Sequence, residues 1–400
     1  MKPSESQRGQ QWLSNFLENE RAIAALLLDS LELVGQDDFR NGLQNLVSDL
    51  ASSILKPIAL VPVRELAPTQ TYYGQSRNAK PKLLLSESFP GSEAIVANIA
   101  GGLRRQAKNS GPFVASPSLA NLRAARCRSI LFLDDFSGSG DRIASFYKKF
   151  RDHGTIRSWE SYGLLSYHVA AFAMTRAAYN RLTRLFGQDH VHLVKFCPTF
   201  ENQNWGAADQ FAIEELCRNY AQNDELALGY GRSRSLLAFS HTAPNNLPNI
   251  LWQPGYYSWR SFFNEKAVPP DLLPLFGQLG GVERIKSALE QLGQIRLSQG
   301  SWEGISTEQL QTVLLVLAAV STKPRNETVV TELTGLFSHV VRQTLTFCRT
   351  LSLIADNSLR LTDSGRSELA RAKNVVLPPR KLTLHGSNDP YYPRSLRVGR

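Results

Sequence analysis

The segment Ile130-Leu131-Phe132-Leu133-Asp134-Asp135-Phe136-Ser137-Gly138-Ser139-Gly140-Asp141-Arg142 constrains this chain more than any other. Ser129 to Leu133 is apolar at every position after the serine, which leaves no face for water and suits a strand covered on both sides in a parallel sheet. The strand runs directly into two carboxylates, then a turn of small residues, then a helix expected from Arg142 to Phe150. Around it, strand-like and helix-like runs alternate. Ile58 to Val63, Leu164 to Met174 and Val191 to Phe196 read as strands, and Ala94 to Leu103, Leu119 to Ala125 (capped by Ser118) and Arg176 to Phe186 as helices. This βαβα order predicts an α/β fold with a parallel sheet, whose ligands collect at the carboxyl ends of its strands.

The chemistry of the corner suits a sugar phosphate. Gly138 and Gly140 let the backbone approach a ligand, and amides at the helix start point at an anion with the helix dipole behind them. Ser137 and Ser139 add hydroxyl donors. Adjacent Asp134 and Asp135 are costly side by side unless each has a partner, and ribose hydroxyls or a hydrated Mg²⁺ would supply those partners. Both are therefore candidates for catalysis and for holding Mg²⁺. The competing motifs fit badly: a P-loop needs Lys and Ser or Thr after its last glycine, where this chain has Asp141, and a dinucleotide fingerprint lacks the two preceding carboxylates. The plainer alternative is a strand-to-helix turn in which both aspartates satisfy local amides.

Composition excludes fibrous and disordered classes: 42% of residues are hydrophobic and 20% charged. The longest apolar stretch, Val313 to Val320, is far short of the roughly 18 residues that span a bilayer. Met1 to Ser6 is polar with no apolar h-region, so a cytoplasmic protein with no membrane contact is expected. Cys127, Cys197, Cys217 and Cys348 are too dispersed for a metal or disulfide pattern and read as reduced core residues. His190 and His192 share strand spacing without a third ligand in register, which favours a solvent-facing pair over a metal site.

In the first 55 residues Trp12, Phe16, Ile23, Leu26, Leu27, Leu31 and Leu33 recur at helical intervals. A second helix follows through Phe39, Leu43, Leu46, Val47, Leu50 and Leu55, with Asp37 or Asp38 as cap, so a helical lid or appendage is expected. Residues 201 to 275 carry no clear period. Within them, Arg232 and Arg234 beside Gly229 and Gly231 read as a solvated loop, and His241 is a general-base candidate that nothing in the sequence fixes in a cleft.

Leu131 through Gly140 resembles the phosphoribosyl-pyrophosphate (PRPP) loop of type I phosphoribosyltransferases: a hydrophobic strand, two acids, then a Thr- and Gly-rich turn. In that family the acids contact the ribose hydroxyls and the turn binds the 5′-phosphate. The resemblance assigns Asp134 and Asp135 to the first role and Ser137, Gly138, Ser139 and Gly140 to the second. Family members bind pyrophosphate after the first sheet strand, where Arg64 and the Ser92 of Gly91-Ser92-Glu93 are the candidates, against readings as a surface arginine and a helix cap. Two departures stand out. Ser139 replaces the usual Thr, and Asp141-Arg142 replaces the closing small residues, so an anion there would meet an extra carboxylate. Together with Trp12 through Val34 and Pro244-Asn245-Asn246-Leu247-Pro248-Asn249-Ile250-Leu251-Trp252, the loop makes residues 10 to 265 resemble phosphoribosyltransferase-like proteins of bacterial conflict systems. Some of these accompany retron reverse transcriptases as expected antiphage effectors.

Basic residues number 45 against 35 acidic, a net charge of +10, and Gly281 to Arg400 holds sixteen Lys and Arg against ten Asp and Glu. Such an excess suits a polyanion, though solvated surfaces carry it too. Helices are expected over Thr307 to Val320 with a Ser306 cap, Pro324 to Thr334 and Ser338 to Leu351. A hairpin follows, with Leu353-Ile354-Ala355 and Leu359-Arg360-Leu361 as its arms, and a last helix runs to Lys373. That order is a winged helix, and Leu361-Thr362-Asp363-Ser364-Gly365 resembles the segment after the wing in many such domains. His339, Arg342, Gln343, Thr346 and Arg349 on the third helix, with Arg360 near the wing, become candidate nucleic-acid contacts. Protein docking is the other use of the fold.

The expected layout is a helical appendage at 1–55, a type I phosphoribosyltransferase-like α/β domain at 56–275, a winged helix-turn-helix domain at 276–375 and a basic tail at 376–400. The first functional expectation is a Mg²⁺-dependent, retron-associated antiphage effector with phosphoribosyltransferase- or glycosyltransferase-type activity. It would act at the anomeric carbon of a ribosyl phosphate or nucleotide, and a reverse transcriptase with its noncoding RNA or DNA would restrain it through the winged helix. The alternative is a PRPP-sensing, DNA-binding transcription regulator without catalysis; a scaffold that has lost both ligands is a third. Whether the chain forms a homo-oligomer stays open, and no general base is assigned.

Overall fold

The computed structural model describes residues 1–81, 92–107, 111–255, 259–277, 281–300, 302 and 307–373. The expected basic tail, with Arg380, Lys381, Arg394, Arg397 and Arg400, lies outside the described residues. In chain order the elements are α1 (Gln7–Leu13), α2 (Arg21–Asp29), β1 (Glu32–Val34), α3 (Gln36–Ser53), β2 (Ile58–Pro62), α4 (Ser92–Gln106), α5 (Leu119–Ala124) and β3 (Ser129–Ser137). Next come α6 (Asp141–Arg151), α7 (Gly154–Ser161), β4 (Ser166–Met174), α8 (Arg176–Phe186), β5 (Val191–Phe196), α9 (Ala207–Tyr220) and β6 (Leu237–Phe239). The remainder is helical: α10 (Gly281–Gln291), α11 (Ile295–Ser298), α12 (Glu308–Ser321), α13 (Glu327–Thr334), α14 (Ser338–Thr350) and α15 (Asp363–Lys373).

β2, β3, β4 and β5 form a parallel sheet in that order. Alternation along β3 sends Ile130 and Phe132 into one core and Leu131 and Leu133 into another. Leu119, Ile143, Phe146, Phe150, Ile156 and Leu182, from α5 to α8, cover the first face. Phe39, Leu43, Val47, Val96, Ile99 and Leu103, from α3 and α4, cover the second. The sequence places the end of β3 at Leu133, yet the strand continues through both aspartates to Ser137. β2 stops at Pro62 opposite Leu133, while β4 still offers partners, with Asp134 beside Ala171, Phe136 beside Ala173 and Ser137 beside Met174. The acids thus sit on a strand end with one uncovered edge rather than in a turn.

The N-terminal helices are not an appendage. Trp12, Leu27, Leu28 and Leu31 share a core with Ile213, Leu216, Leu247, Ile250 and Phe263. The Trp12 indole donates a hydrogen bond to the Ile250 carbonyl at 2.8 Å. The helical pattern expected through Val34 breaks at β1, which pairs in parallel with β6. That small pair joins two cores: Leu33 and Ala238 face the core shared with the N-terminal helices, while Val34, Leu237 and Phe239 face the main sheet. α3 starts from Gly35 with no side-chain cap; Asp37 and Asp38 lie in its first turn.

The C-terminal helices α10 to α15 form a core of their own around Leu289, Leu315, Val316, Val330, Val341 and Leu345. Its helix order matches the expected winged helix; Thr307 caps α12 by accepting from the Leu310 amide, and the expected Ser306 cap lies outside the described residues. The expected hairpin is a single bridge between Ile354 and Leu361. The Arg342 guanidinium of α14 meets Asp49 of α3 at 2.8 Å, Phe337 packs edge-on against Phe172 of β4, and Arg176 pairs with Glu332. Between these bodies lies a cavity of about 420 Å³ whose lining includes Asp49, Tyr179, His192, Glu327 and Arg342. His192 is half-buried, and with His190 it forms a stack on the buried His168 of β4, ring centroids 5.8 and 4.4 Å away, rather than a solvent-facing pair. All four cysteines are buried and free. Among the described residues no helix is long and apolar enough to cross a membrane.

Because Trp12 is fully buried between regions distant in sequence, Trp12→Ala is expected to cost about 3–5 kcal/mol in urea unfolding. A loss below about 1 kcal/mol, the range of surface substitutions, contradicts a shared core.

Candidate functional site

The site is the corner where β3 passes into α6. Asp134 and Asp135 are 2% and 5% exposed, although both are charged residue types at the end of a strand. Their alternation aims Asp134 toward the α6 side of the sheet and Asp135 toward the α3 and α4 side. One guanidinium closes the pair: Arg142, from the first turn of α6, donates from Nη2 to Asp134 Oδ1 at 2.5 Å and to Asp135 Oδ1 at 2.8 Å, and lies 3.2 Å from the Phe136 carbonyl. Asp134 Oδ1 also accepts from the Asp135 amide at 3.0 Å, whereas the buried Oδ2 has no partner. Burial pushes the Asp134 carboxyl well above its usual range, with Arg142 opposing that shift and the neighbouring Asp135 reinforcing it.

Two further groups converge on the pair. Glu93, in the first turn of α4, accepts from the Glu65 amide at 3.0 Å, and its carboxyl is raised by burial while the fields of Arg142 and Asp135 both reach it. His241 is held between Phe39 and Phe239, at ring distances of 4.9 and 5.2 Å; burial lowers its pKa against the pull of Asp135. Both of its ring nitrogens are buried without partners. The sequence leaves His241 unplaced; the structure holds it between two aromatic rings, within the field of Asp135.

The turn that follows has the geometry of an anion cradle. Gly140 caps α6 at φ +79°, a conformation that favours glycine, and offers no side-chain cap to the first-turn amides. The amides of Gly138, Ser139 and Gly140 have no hydrogen-bond partner among the described residues. Thr175, just before α8, accepts nothing from the turn but donates from its hydroxyl to the Gly138 carbonyl at 2.5 Å, holding the turn to β4. The extra carboxylate that the sequence places against an anion is neutralised: Asp141 Oδ1 lies 2.6 Å from an Arg181 nitrogen. Gly138 is required by close approach, since a Cβ there would lie 2.0 Å from Asn246 Nδ2. Asn246 in turn binds the Tyr230 carbonyl and the Ser233 hydroxyl, at 3.4 and 3.1 Å, so the 229–233 and 244–249 loops form a hood over the turn.

Of the other sequence candidates, Arg64 is buried just after β2, 5.6 Å from the Tyr72 ring, and its charge acts on Glu93. Ser92 opens α4, and its side chain lies outside the described residues. Of the six nucleic-acid candidates, Arg342, Gln343, Thr346 and Arg360 are exposed, Arg342 while meeting Asp49 at 2.8 Å; His339 and Arg349 are half-buried, His339 within the field of Asp49 and Arg349 3.9 Å from Glu327. The Mg²⁺ expectation meets a poor fit. Arg142 already fills the space between the carboxylates, and no group of three or more His, Cys, Asp or Glu able to hold a metal occurs among the described residues.

Arg142 is the residue that the sequence reading sees only as a departure from pattern. Its signal is the interval: Asp134 and Asp135 precede it by eight and seven residues, the length of a turn that folds a helix start back over the strand end. Asn246 and Thr175 carry no local signal, because Thr175 donates to the Gly138 carbonyl and Asn246 packs against the Gly138 Cα from more than thirty and more than a hundred residues away.

A covered parallel sheet with an acidic strand end feeding a glycine-serine helix start defines a phosphoribosyltransferase-like α/β protein. Residues 10–264 match PRTase-CE, and the chain belongs to that family; residues 314–398 match a domain described as wHTH-PRTase associated. The two matches support a PRTase-type effector in general. No curated protein and no solved structure matches the chain.

The Arg142 bridge yields a pH test. Without it, Asp134 rises further above its unfolded value, and a carboxyl raised on folding contributes stability in acid that is lost as pH climbs through its folded pKa. Arg142→Ala is expected to lose about 1–3 kcal/mol at pH 7 and less at pH 5, read by thermal denaturation at both. An equal loss at the two pH values contradicts the ion-pair role.

Proposed function

We propose that this protein is a retron-associated antiphage effector whose phosphoribosyltransferase-like domain binds a ribosyl 5′-phosphate and acts on the N-glycosidic bond of a nucleotide or base. The observation that carries this reading is the row of unpartnered amides at Gly138, Ser139 and Gly140, beside a buried acidic pair at the start of α6. The 5′-phosphate sits on those amides, and the helix dipole favours its charge. The ribose hydroxyls then face Asp134 and Asp135, whose negative charge also stabilises the positive charge that builds on the ring as the bond at the anomeric carbon breaks. The electron pair of that bond leaves with the base nitrogen, and the acceptor supplies the replacement pair. His241 and the Tyr230 loop border the remaining space.

The retron setting and the partner rest on the likeness of residues 10–265 to conflict-system proteins and on the wHTH-PRTase match. In this reading a reverse transcriptase with its noncoding RNA or DNA holds the effector through the C-terminal domain. The alternative, a PRPP-sensing transcription regulator, needs α14 on DNA, where exposed Arg342 would have to leave its 2.8 Å contact with Asp49.

Incubation of the purified protein with nucleotides, or with PRPP and bases, followed by chromatography of the products, tests the reading. Turnover is expected, and Asp134→Asn or Asp135→Asn should lower it at least about a hundredfold with the fold intact by circular dichroism. If no ribosyl compound is consumed, alone or with the reverse transcriptase present, the enzymatic reading fails.

A further inference from the structure

The corner already contains, in its own side chains, the two charges that a metal-bound sugar diphosphate would bring. Arg142 stands between Asp134 and Asp135 as their cation, with contacts of 2.5 and 2.8 Å to carboxylates almost wholly removed from water. A divalent ion at the same carboxylates has to displace that guanidinium or stand beside it. Beyond the free end of β2, where family members hold pyrophosphate, an anion is also in place: Glu93 takes the Glu65 amide at 3.0 Å. A diphosphate arriving there meets a carboxylate on the donor it needs. By contrast, the Gly138 to Gly140 amides have no partner, and the buried Asp134 Oδ2, next to them at the end of β3, has none either.

We propose that this site takes a ribose 5-phosphate unit that carries no diphosphate on C1, and takes it without a divalent cation, with Arg142 acting as the resident counter-ion of the acidic pair and Glu93 as the group that excludes diphosphate. The inference rests on the ribosyl-phosphate reading of the corner and narrows its substrate class. The unit belongs either to a nucleoside 5′-monophosphate or to free ribose 5-phosphate. Arg142 is a positioning residue: it holds the carboxylates where the ribose hydroxyls meet them.

Calorimetric titration of the full chain with ribose 5-phosphate, the four common nucleoside 5′-monophosphates and PRPP, each in EDTA and in excess MgCl₂, tests the proposal. Ribose 5-phosphate or a monophosphate is expected to bind in EDTA, with affinity changing less than about threefold when Mg²⁺ is added, and PRPP is expected to bind no tighter. Monophosphates binding at least about tenfold tighter than the sugar phosphate identify the nucleotide as the source of the unit; equal binding identifies the free sugar phosphate. Arg142→Ala should lose at least about tenfold in EDTA and recover with Mg²⁺, which then occupies the vacated pair, while Arg142→Lys keeps most of the EDTA binding. Glu93→Ala should raise PRPP affinity by about tenfold or more. Should Arg142→Ala fail to fold, the wild-type comparison decides alone. Binding only with Mg²⁺, or PRPP binding tenfold tighter than ribose 5-phosphate, overturns the inference and leaves the ribosyl-phosphate reading standing. No binding of any of these compounds under either condition overturns both.

Discussion

A single guanidinium reaching two carboxylates on successive strand positions sets the geometry of the corner. Neighbouring residues of a strand point to opposite faces, so Asp134 and Asp135 cannot both be served by a helix lying over one face of the sheet. They can be served from the strand's own axis, beyond the end of β2, where no neighbouring strand intervenes on that side. The first turn of α6 lies there. Arg142 in that turn neutralises the pair while also approaching the Phe136 carbonyl, so the same contact that makes two buried acids tolerable ties the helix start to the strand end. Moving α6 away would expose the acids to each other; keeping it there fixes the direction of the Gly138 to Gly140 amides.

The rest of the chain converges on that turn from a distance. The N-terminal helices and residues 200 to 276 build one core, and its loops place Asn246 against Gly138, leaving room only for hydrogen at that Cα. Gly229 is under the same constraint from the other side, since a Cβ there would lie 1.9 Å from the Asn246 carbonyl oxygen, and its φ of +79° favours glycine as well. The β1 and β6 pair fastens this core to the main sheet, and Phe239 at the end of β6 supports the His241 ring beside Asp135. A hood assembled from both ends of the domain therefore depends on a two-stranded pair of three residues each.

That pair also marks where the sequence stops being readable. β2, β4, β5 and α8 follow from local pattern because each buries a continuous run or a wide stripe; α8 runs from Arg176 to Phe186 in both readings. β1 and β6 are too short to show a period, and β1 lies within a stretch whose spacing also suits a helix. α9 buries only Ile213, Leu216 and Cys217 and exposes Phe211, which blurs its stripe among the aromatics around it. At the site, the residue types and the turn were legible because strand, acids and glycines are consecutive. The Arg142 bridge and the Glu93 contact were not, because an ion pair within one segment and a carboxylate on a distant amide are set by how elements meet. His168 escaped for the same reason: it joins His190 and His192 across neighbouring strands, and only register brings the rings together.

The C-terminal domain meets the β3–α6 corner through consecutive residues. Thr175 holds the Gly138 carbonyl, and the next residue, Arg176, pairs with Glu332 of α13 while lying 4.2 Å over the Phe196 ring. On the opposite face, Phe172 of β4 touches Phe337 at the entry to α14, and Asp49 of α3 holds Arg342. The winged helix is thus seated on the same strand, β4, that supports the extended end of β3. A partner that drew α14 away by its basic side would have to break the Arg342 contact, and α13 is fastened through Glu332 to Arg176 at the start of α8, one residue from the threonine that holds the Gly138 turn. A partner on the C-terminal domain and a ligand at the turn would therefore act on neighbouring residues rather than on two independent modules, which is the physical requirement for either to influence the other.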